Sequence, residues 1–250
     1  MEPLTVLLPF LGIIVLGTIT QSISGMGFGL VSVPVFVALF GPIEGVLWGN
    51  VVGMVTALAL VAQKREHIDW PIAIRFTIAA APAIVLTVWG MGLFDTATLN
   101  LYVGLLMLAM VFFAVAAPKL PEASGRPLDY FTGFVGGFFS ASVAQSGPAM
   151  TAYAQATRWD QNRFAATLQP YYLGMNIINI PLKIFFNVDP LSSSLNIPMF
   201  LLGIVAIVVG TTLAKYLIQL ISARVARNFA LVIALIGACV VISRGVSAFW

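Results

Sequence analysis

The stretch TQSISGMGFGLVSVP, residues 20–34, sets Gln21, three serines and three glycines between two apolar runs. A second stretch, SASVAQSGPAM at 140–150, does the same in the other half of the chain. A helix broken by such residues at membrane depth leaves backbone amides without partners. That is tolerated only where protein or a water-filled cavity surrounds the break. Regions 4–40 and 130–156 therefore read as helical hairpins that dip into protein.

The composition puts these hairpins in a bilayer. Of 250 residues, 60% are hydrophobic and 8% charged, with a mean hydropathy of +1.01, whereas soluble domains carry roughly a quarter charged residues. The apolar runs are continuous and close to the ~20 residues that a spanning helix needs, not the alternating short strands of a membrane barrel. An all-α membrane protein is predicted, with about eight to ten membrane segments. The formal net charge of +3 sits on so few residues that it reads as a topology signal, and no nucleic-acid partner is expected.

Enzyme chemistry has no seat in the sequence. Cys239 is the single cysteine and lies in the last apolar run, which leaves no intramolecular disulfide and no thiolate metal cluster. There is no HExxH motif, no Walker loop and no pair of intramembrane aspartates. No cofactor or metal is expected. The N-terminal MEPLTVLLPF lacks the basic start of a cleavable signal and is expected to belong to the mature fold.

Spanning helices are expected at 45–62, 71–90, 98–117, 164–186, 197–217 and 228–249. Lys64 and Arg65, Lys119 and Arg126, Arg158 and Arg163, and Arg224 and Arg227 mark the cytoplasmic loops, while the loops at 94–98 and 187–196 carry no Lys or Arg. With Arg75 and Lys215 toward cytoplasmic ends and Lys183 and Arg244 toward external ones, the tally is ten against two. Both termini then lie outside.

Each hairpin is followed by three crossings. Two units of like order and odd crossing number must sit in opposite orientations, the inverted-repeat plan of many secondary transporters. The repeats are 1–117 and 130–250, joined by a cytoplasmic linker at 118–129. A shift of 120 residues places Gly17 on Gly137, Gly27 on Gly147, Asp69 on Asp189 and Gly90 on Gly210.

Opposed hairpins bring two helix N-termini together, and free N–H groups with a partial positive charge make an anion site. The candidate binding residues are Gln21, Ser22, Ser24, Gly25 and Gly27 at the first tip and Ser142, Gln145, Ser146 and Gly147 at the second. Pro148 follows where a new helix can begin. Glycines of this kind also serve close helix packing; the joint presence of Gln and Ser at both breaks favours a site. Asn50, Gln169 and Asn176 put amides on the helix after each hairpin, with Tyr171, Tyr172 and Asn179 nearby, either toward the site or bonded to a neighbouring helix. None of the nine acidic residues falls near the centre of a span, which argues against a buried carboxylate relay. Arg75, Lys183 and Lys215 are expected to snorkel, Lys183 being the residue best placed to draw an anion inward. His67 belongs to a charged loop.

The chain resembles the TauE/SafE family of sulfite and organosulfonate transporters. The resemblance is carried by SGMGFGLVSVPVFVALFG from Ser24, with Gly25, Gly27, Gly29 and Pro34 matching a glycine-rich element followed by proline, and by SVAQSGPAM, where glycines are scarcer. It covers nearly the whole chain and implies transport of small sulfur anions such as sulfite or sulfoacetate across the bacterial inner membrane. A homodimer is a further expectation for a membrane protein of this size. A passive anion channel and an accessory subunit of a larger membrane complex are the competing functions.

Overall fold

A computed structural model describes residues 3–116, 121–186 and 197–247. The predicted loop at 187–196, residues 118–120 of the linker, residue 117 and residues 248–249 lie outside them. The described residues form ten α-helices and no strand: α1 (Pro3–Ser24), α2 (Phe28–Phe40), α3 (Pro42–Lys64), α4 (Trp70–Met91), α5 (Thr96–Ala116), α6 (Arg126–Val143), α7 (Gly147–Ala156), α8 (Gln161–Phe185), α9 (Ile197–Leu217) and α10 (Ala223–Ser247). Five of them, α1, α3, α4, α9 and α10, are long and apolar enough to cross a membrane. The protein is an all-α, multi-pass membrane protein.

The two breaks fall where the sequence places them. In the first, Gly25 has φ 81° and Gly27 φ 125°, left-handed conformations that glycine adopts without steric cost. The second achieves its turn at Ala144, with φ 49°, a conformation that costs a residue with a Cβ about 1 kcal/mol. Beyond the breaks, α2 has 13 residues and α7 has 10, roughly 20 and 15 Å of helix. Both fall short of the ~30 Å of hydrocarbon, so each break ends inside the protein. The first arms are longer, and α1 is itself one of the spanning helices.

Helix starts follow local chemistry. Asp69 accepts from Ile72 N at 3.3 Å and caps α4, where Pro71 is an early residue without a donor to satisfy. Asp160 accepts from Asn162 N and Arg163 N, both at 3.0 Å, and caps α8. Pro34, Pro82, Pro170 and Pro181 lie inside helices, as membrane helices allow when neighbours re-satisfy the backbone.

The two sequence halves do not form separate lobes. One core joins Phe10 and Ile14 of α1, Phe28 and Phe36 of α2 and Trp48 of α3 to Ile207 of α9. Its ring pairs Phe10–Phe36 and Phe10–Trp48 have centroids 5.2 and 5.1 Å apart. Another joins α6, α7 and α8 to α4, with Phe76 against Tyr153 and Tyr171 at 5.0 and 5.4 Å. Each hairpin thus packs on the second crossing of the opposite half, α6 along α4 and α1 along α9, while α3 meets α8 and α5 meets α10 between them. The outer faces of α4, α9 and α10 expose Ile78, Leu86, Trp89, Val205, Val208, Phe229 and Ile236, the apolar surface that lipid covers.

The basic loops gather at one end. Arg163 Nη2 donates to Asp69 Oδ2 at 3.2 Å, Gln161 Nε2 to the Ser24 carbonyl at 3.0 Å, and Ala123 N to the Ala156 carbonyl at 3.0 Å. His67 is exposed in the short 3-10 turn Arg65–His67 at the same end.

Candidate functional site

The two breaks meet. Gly29, in the first turn of α2, is so close to the Ala144 carbonyl and Gln145 Cγ that a side chain there would overlap them, and a Cβ on Gly147 would lie 3.0 Å from Met26 Cβ and Sδ. Gly25 is pressed equally hard against Ala165 of α8. Glycine is required at positions 25 and 29 by the approach of one hairpin to the other and to α8, while a side chain at 147 would press on Met26.

Between the tips lies a cavity of about 40 Å³, room for a few waters at roughly 10–15 Å³ each. Two helix N-termini border it. Gly27 at the head of α2 and Ser146 at the head of α7 make no side-chain capping bond, so no side chain at either cap takes the first-turn N–H groups, of which Pro148 in α7 supplies none. The side chains around them are neutral. Asn50 is 1% exposed and Gln145 3%, and neither amide has a hydrogen-bond partner on its nitrogen or its oxygen. Asn176 Oδ1 is in the same state. Leaving a buried polar atom unmatched costs about 1–3 kcal/mol, so a cluster of them around one cavity offers donors and acceptors to whatever fills it, water or a ligand.

The thirteen candidates separate into two groups. Gln21, Gly27, Asn50, Gln145, Ser146, Gly147 and Asn176 line the cavity. Ser22, Ser24, Gly25, Ser142, Gln169 and Lys183 do not. Ser22 Oγ donates to the Thr18 carbonyl and Ser24 Oγ to that of Thr20, both at 2.7 Å, the back-bond to the preceding turn that competes with any other use of a helical serine. The Ser142 hydroxyl pairs with Tyr102 OH at 2.8 Å. Gln169 is a brace: it accepts from Gln21 Nε2 at 2.9 Å and donates to the Gly25 carbonyl at 3.2 Å and the Ala165 carbonyl at 2.7 Å, which ties the first break to α8. Asn179 Nδ2 donates to Ser140 Oγ at 3.1 Å.

The cavity also takes Tyr172, which the sequence sets near the site, and residues that the sequence does not single out: Ser140, Ala144, and Gly49 and Gly53 on α3 beside Asn50. The available signal is helical spacing. Gly49 and Gly53 are one turn apart, and Tyr172, Asn176 and Asn179 share a face of α8. That face explains why α8 is less apolar than the other long helices: its polar side chains are turned into the protein.

Two charged residues depart from expectation. Lys183 does not snorkel; it is 2% exposed, drawn inward with the rest of the α8 polar face. Arg75 does not reach for water alone; its Nε donates to Asp129 Oδ2 at 2.7 Å, and Tyr153 OH donates to Asp129 Oδ1 at 2.6 Å. Asp129, in the first turn of α6, is thereby a buried carboxylate that locks α4, α6 and α7 together. Lys215 is exposed near the end of α9. At the other end of the first break, Lys64 Nζ donates to the Ser22 carbonyl at 2.8 Å and sets a positive charge at the C-terminal end of α1, the favourable sense for a helix dipole.

Cys239 is exposed on α10. No curated protein and no solved structure matches the chain. The model of the family Sulfite exporter TauE/SafE matches residues 10–241, a span that holds both breaks and every residue of the cavity, and the chain belongs to that family of membrane transporters.

Proposed function

We propose that this protein is a secondary transporter that holds a small sulfur oxyanion, with sulfite the simplest of the class, between the heads of α2 and α7 and exposes it to one side of the membrane at a time. The observation that carries the reading is the ring of unmatched amides, Asn50, Gln145 and Asn176, around a cavity bordered by two uncapped helix N-termini. Backbone N–H groups and neutral amides can replace the water shell of an anion without a fixed positive charge that would hold it too tightly to leave. The narrowness of the cavity favours a compact oxyanion over the longer organosulfonates.

An inverted repeat underlies the mechanism. Exchanging α1–α5 with α6–α10 maps the α1–α9 packing onto α6–α4, the α2–α10 packing onto α7–α5, and the α3–α8 and α5–α10 contacts onto themselves; that invariance supports a two-fold relation between the halves. The moving bodies are then the interlocked sets α1, α2, α3, α9 and α6, α7, α8, α4, which rock about the shared α3–α8 contact. By the positive-inside rule, the clustered basic loops support a cytoplasmic position for their end of the protein in a bacterial inner membrane, with both termini outside. Met26, packed at the boundary of the cavity, favours a gated carrier over an open anion channel.

The test is flux in liposomes. Purified protein should take up labelled sulfite with saturation, faster than a taurine-like sulfonate, and the response to an imposed proton gradient identifies coupling. Conductance that never saturates would establish a channel instead, and absence of flux from the purified chain would leave the accessory-subunit reading.

A further inference from the structure

A second cavity, of about 490 Å³, opens at the end of the protein that carries the basic loops, and the site described above does not use it. It lies between α7, the start of α8 and the first turns of α10. Arg224 and Arg227 form one wall, Ala154, Gln155 and Gln161 the other, and Met26 of the first break is part of its inner end.

Three features of this cavity point to an anion. Arg224 and Arg227 are near enough for their charges to repel each other, and no acidic residue lines the cavity among the described residues. Arg227 Nε is buried with no hydrogen-bond partner. Paired guanidinium groups without a carboxylate between them are matched by an oxyanion that accepts from both, in the planar, charge-assisted geometry that arginine provides. The location adds the third feature. Met26 Sδ accepts from Thr151 Oγ1 at 2.8 Å, and the same side chain rests against Gly147, which borders the central cavity. Met26, a side chain with three rotatable bonds, thus lines the arginine-bearing cavity on one side and packs against a glycine of the central cavity on the other.

We propose that this cavity is an anteroom: a second oxyanion site, built on Arg224 and Arg227, that receives the transported anion on the basic-loop side of Met26. The proposal rests on the transport reading for its role in the cycle, but its anion binding can be measured without transport. Two sites in series, one cationic and wide, one neutral and narrow, divide the work of collection and dehydration between them. The arginines gather anions from solution, and the neutral amides hold them once their water is gone.

The experiment uses the full chain in detergent with Cys239→Ala and Ala154→Cys, so that the only thiol faces the anteroom. Its reaction rate is measured with methanethiosulfonate reagents of similar size, one anionic and one cationic. The anionic reagent should react faster, relative to the two rates on a free thiol, by on the order of tenfold, as a focused positive potential requires. Arg224→Gln with Arg227→Gln should abolish that preference, and Lys at both positions should restore it. Added sulfate, an oxyanion that does not attack the reagent, should slow the anionic reagent in the arginine form and not in the glutamine form. Where the double variant fails to elute as a single species, Arg227→Gln alone makes the same comparison. A preference that is absent, or that survives neutralisation of both arginines, overturns the proposal. Sulfite flux by the unaltered protein decides the transport reading separately: rates that depend on the arginines without flux would leave an anion site on a protein that is not a carrier, and flux without the preference would leave a carrier with no anteroom.

Discussion

Gly29 of α2 lies against the carbonyl of Ala144, 115 residues further along the chain, so the head of one broken helix touches the turn of the other. This contact makes the cavity a property of two hairpins together. It also gives the sharpest test of where the anion passes.

Gly29→Val adds bulk directly into the Ala144 backbone, which cannot move aside as a flexible side chain would. Sulfite flux should fall by at least about tenfold, equivalent to roughly 1.4 kcal/mol, while the protein still inserts and elutes as a single species. Gly12→Val is the control, because nothing lies within 4 Å of a Cβ there; its flux should match that of the unaltered chain. Normal flux through Gly29→Val would remove the tips from the path.

Asn50→Leu separates binding from stability. Its amide has no partner in the protein, so an apolar side chain of similar size relieves a buried unmatched group. The melting temperature in detergent should hold or rise, and sulfite uptake should vanish. A protein that melts several degrees lower would show that the amide braces the fold. Gln145→Leu is expected to behave in the same way.

Gln169→Leu should do the reverse. It strips partners from Gln21 Nε2 and from the Gly25 carbonyl, and unmatched buried groups of this kind cost about 1–3 kcal/mol each. The melting temperature should drop markedly, with Gln21→Leu milder. In the double-mutant cycle the two changes should couple by about 0.5–3 kcal/mol, and strict additivity would contradict the bond between them.

Asp129→Asn weakens the Arg75 bond that holds the second hairpin to α4 and the Tyr153 bond that joins the two arms of that hairpin. Bonds to charged groups are worth about 1.5–3 kcal/mol, reduced here because the Arg75 side chain is 25% exposed. A loss of about 2 kcal/mol is expected for Asp129→Asn and about 1 kcal/mol for Tyr153→Phe, read from thermal unfolding. Asp129→Asn with Arg75→Gln should recover part of the loss, since no uncompensated charge then remains.

The outline of the molecule was legible because lipid imposes it. Continuous apolar runs must be helices, and polar glycine-bearing interruptions must be sheltered, so TQSISGMGFG and SASVAQSGPAM could be read as breaks before any coordinate was known. Part of the candidate site followed from the same logic: Gln21, Gly27, Gln145, Ser146 and Gly147 stand at the breaks and line the cavity. The serines beside them did not follow. A hydroxyl at Ser22 or Ser24 has a backbone carbonyl one turn away, and nothing local in the sequence says whether it turns to that carbonyl or to a ligand.

The amino-acid sequence alone determined that this chain is helical, where its helices break and which loops carry the positive charge, because these depend on short-range transfer energies and backbone satisfaction. Tertiary structure alone decided that α4 and α9 change sides between the two cores, that Gln169 braces the first break instead of facing the cavity, that Lys183 is buried, and that Asp129 joins Arg75 and Tyr153. Each of these is a choice among partners far apart in the chain. Such choices are set by which surfaces pack best once the helices are already formed.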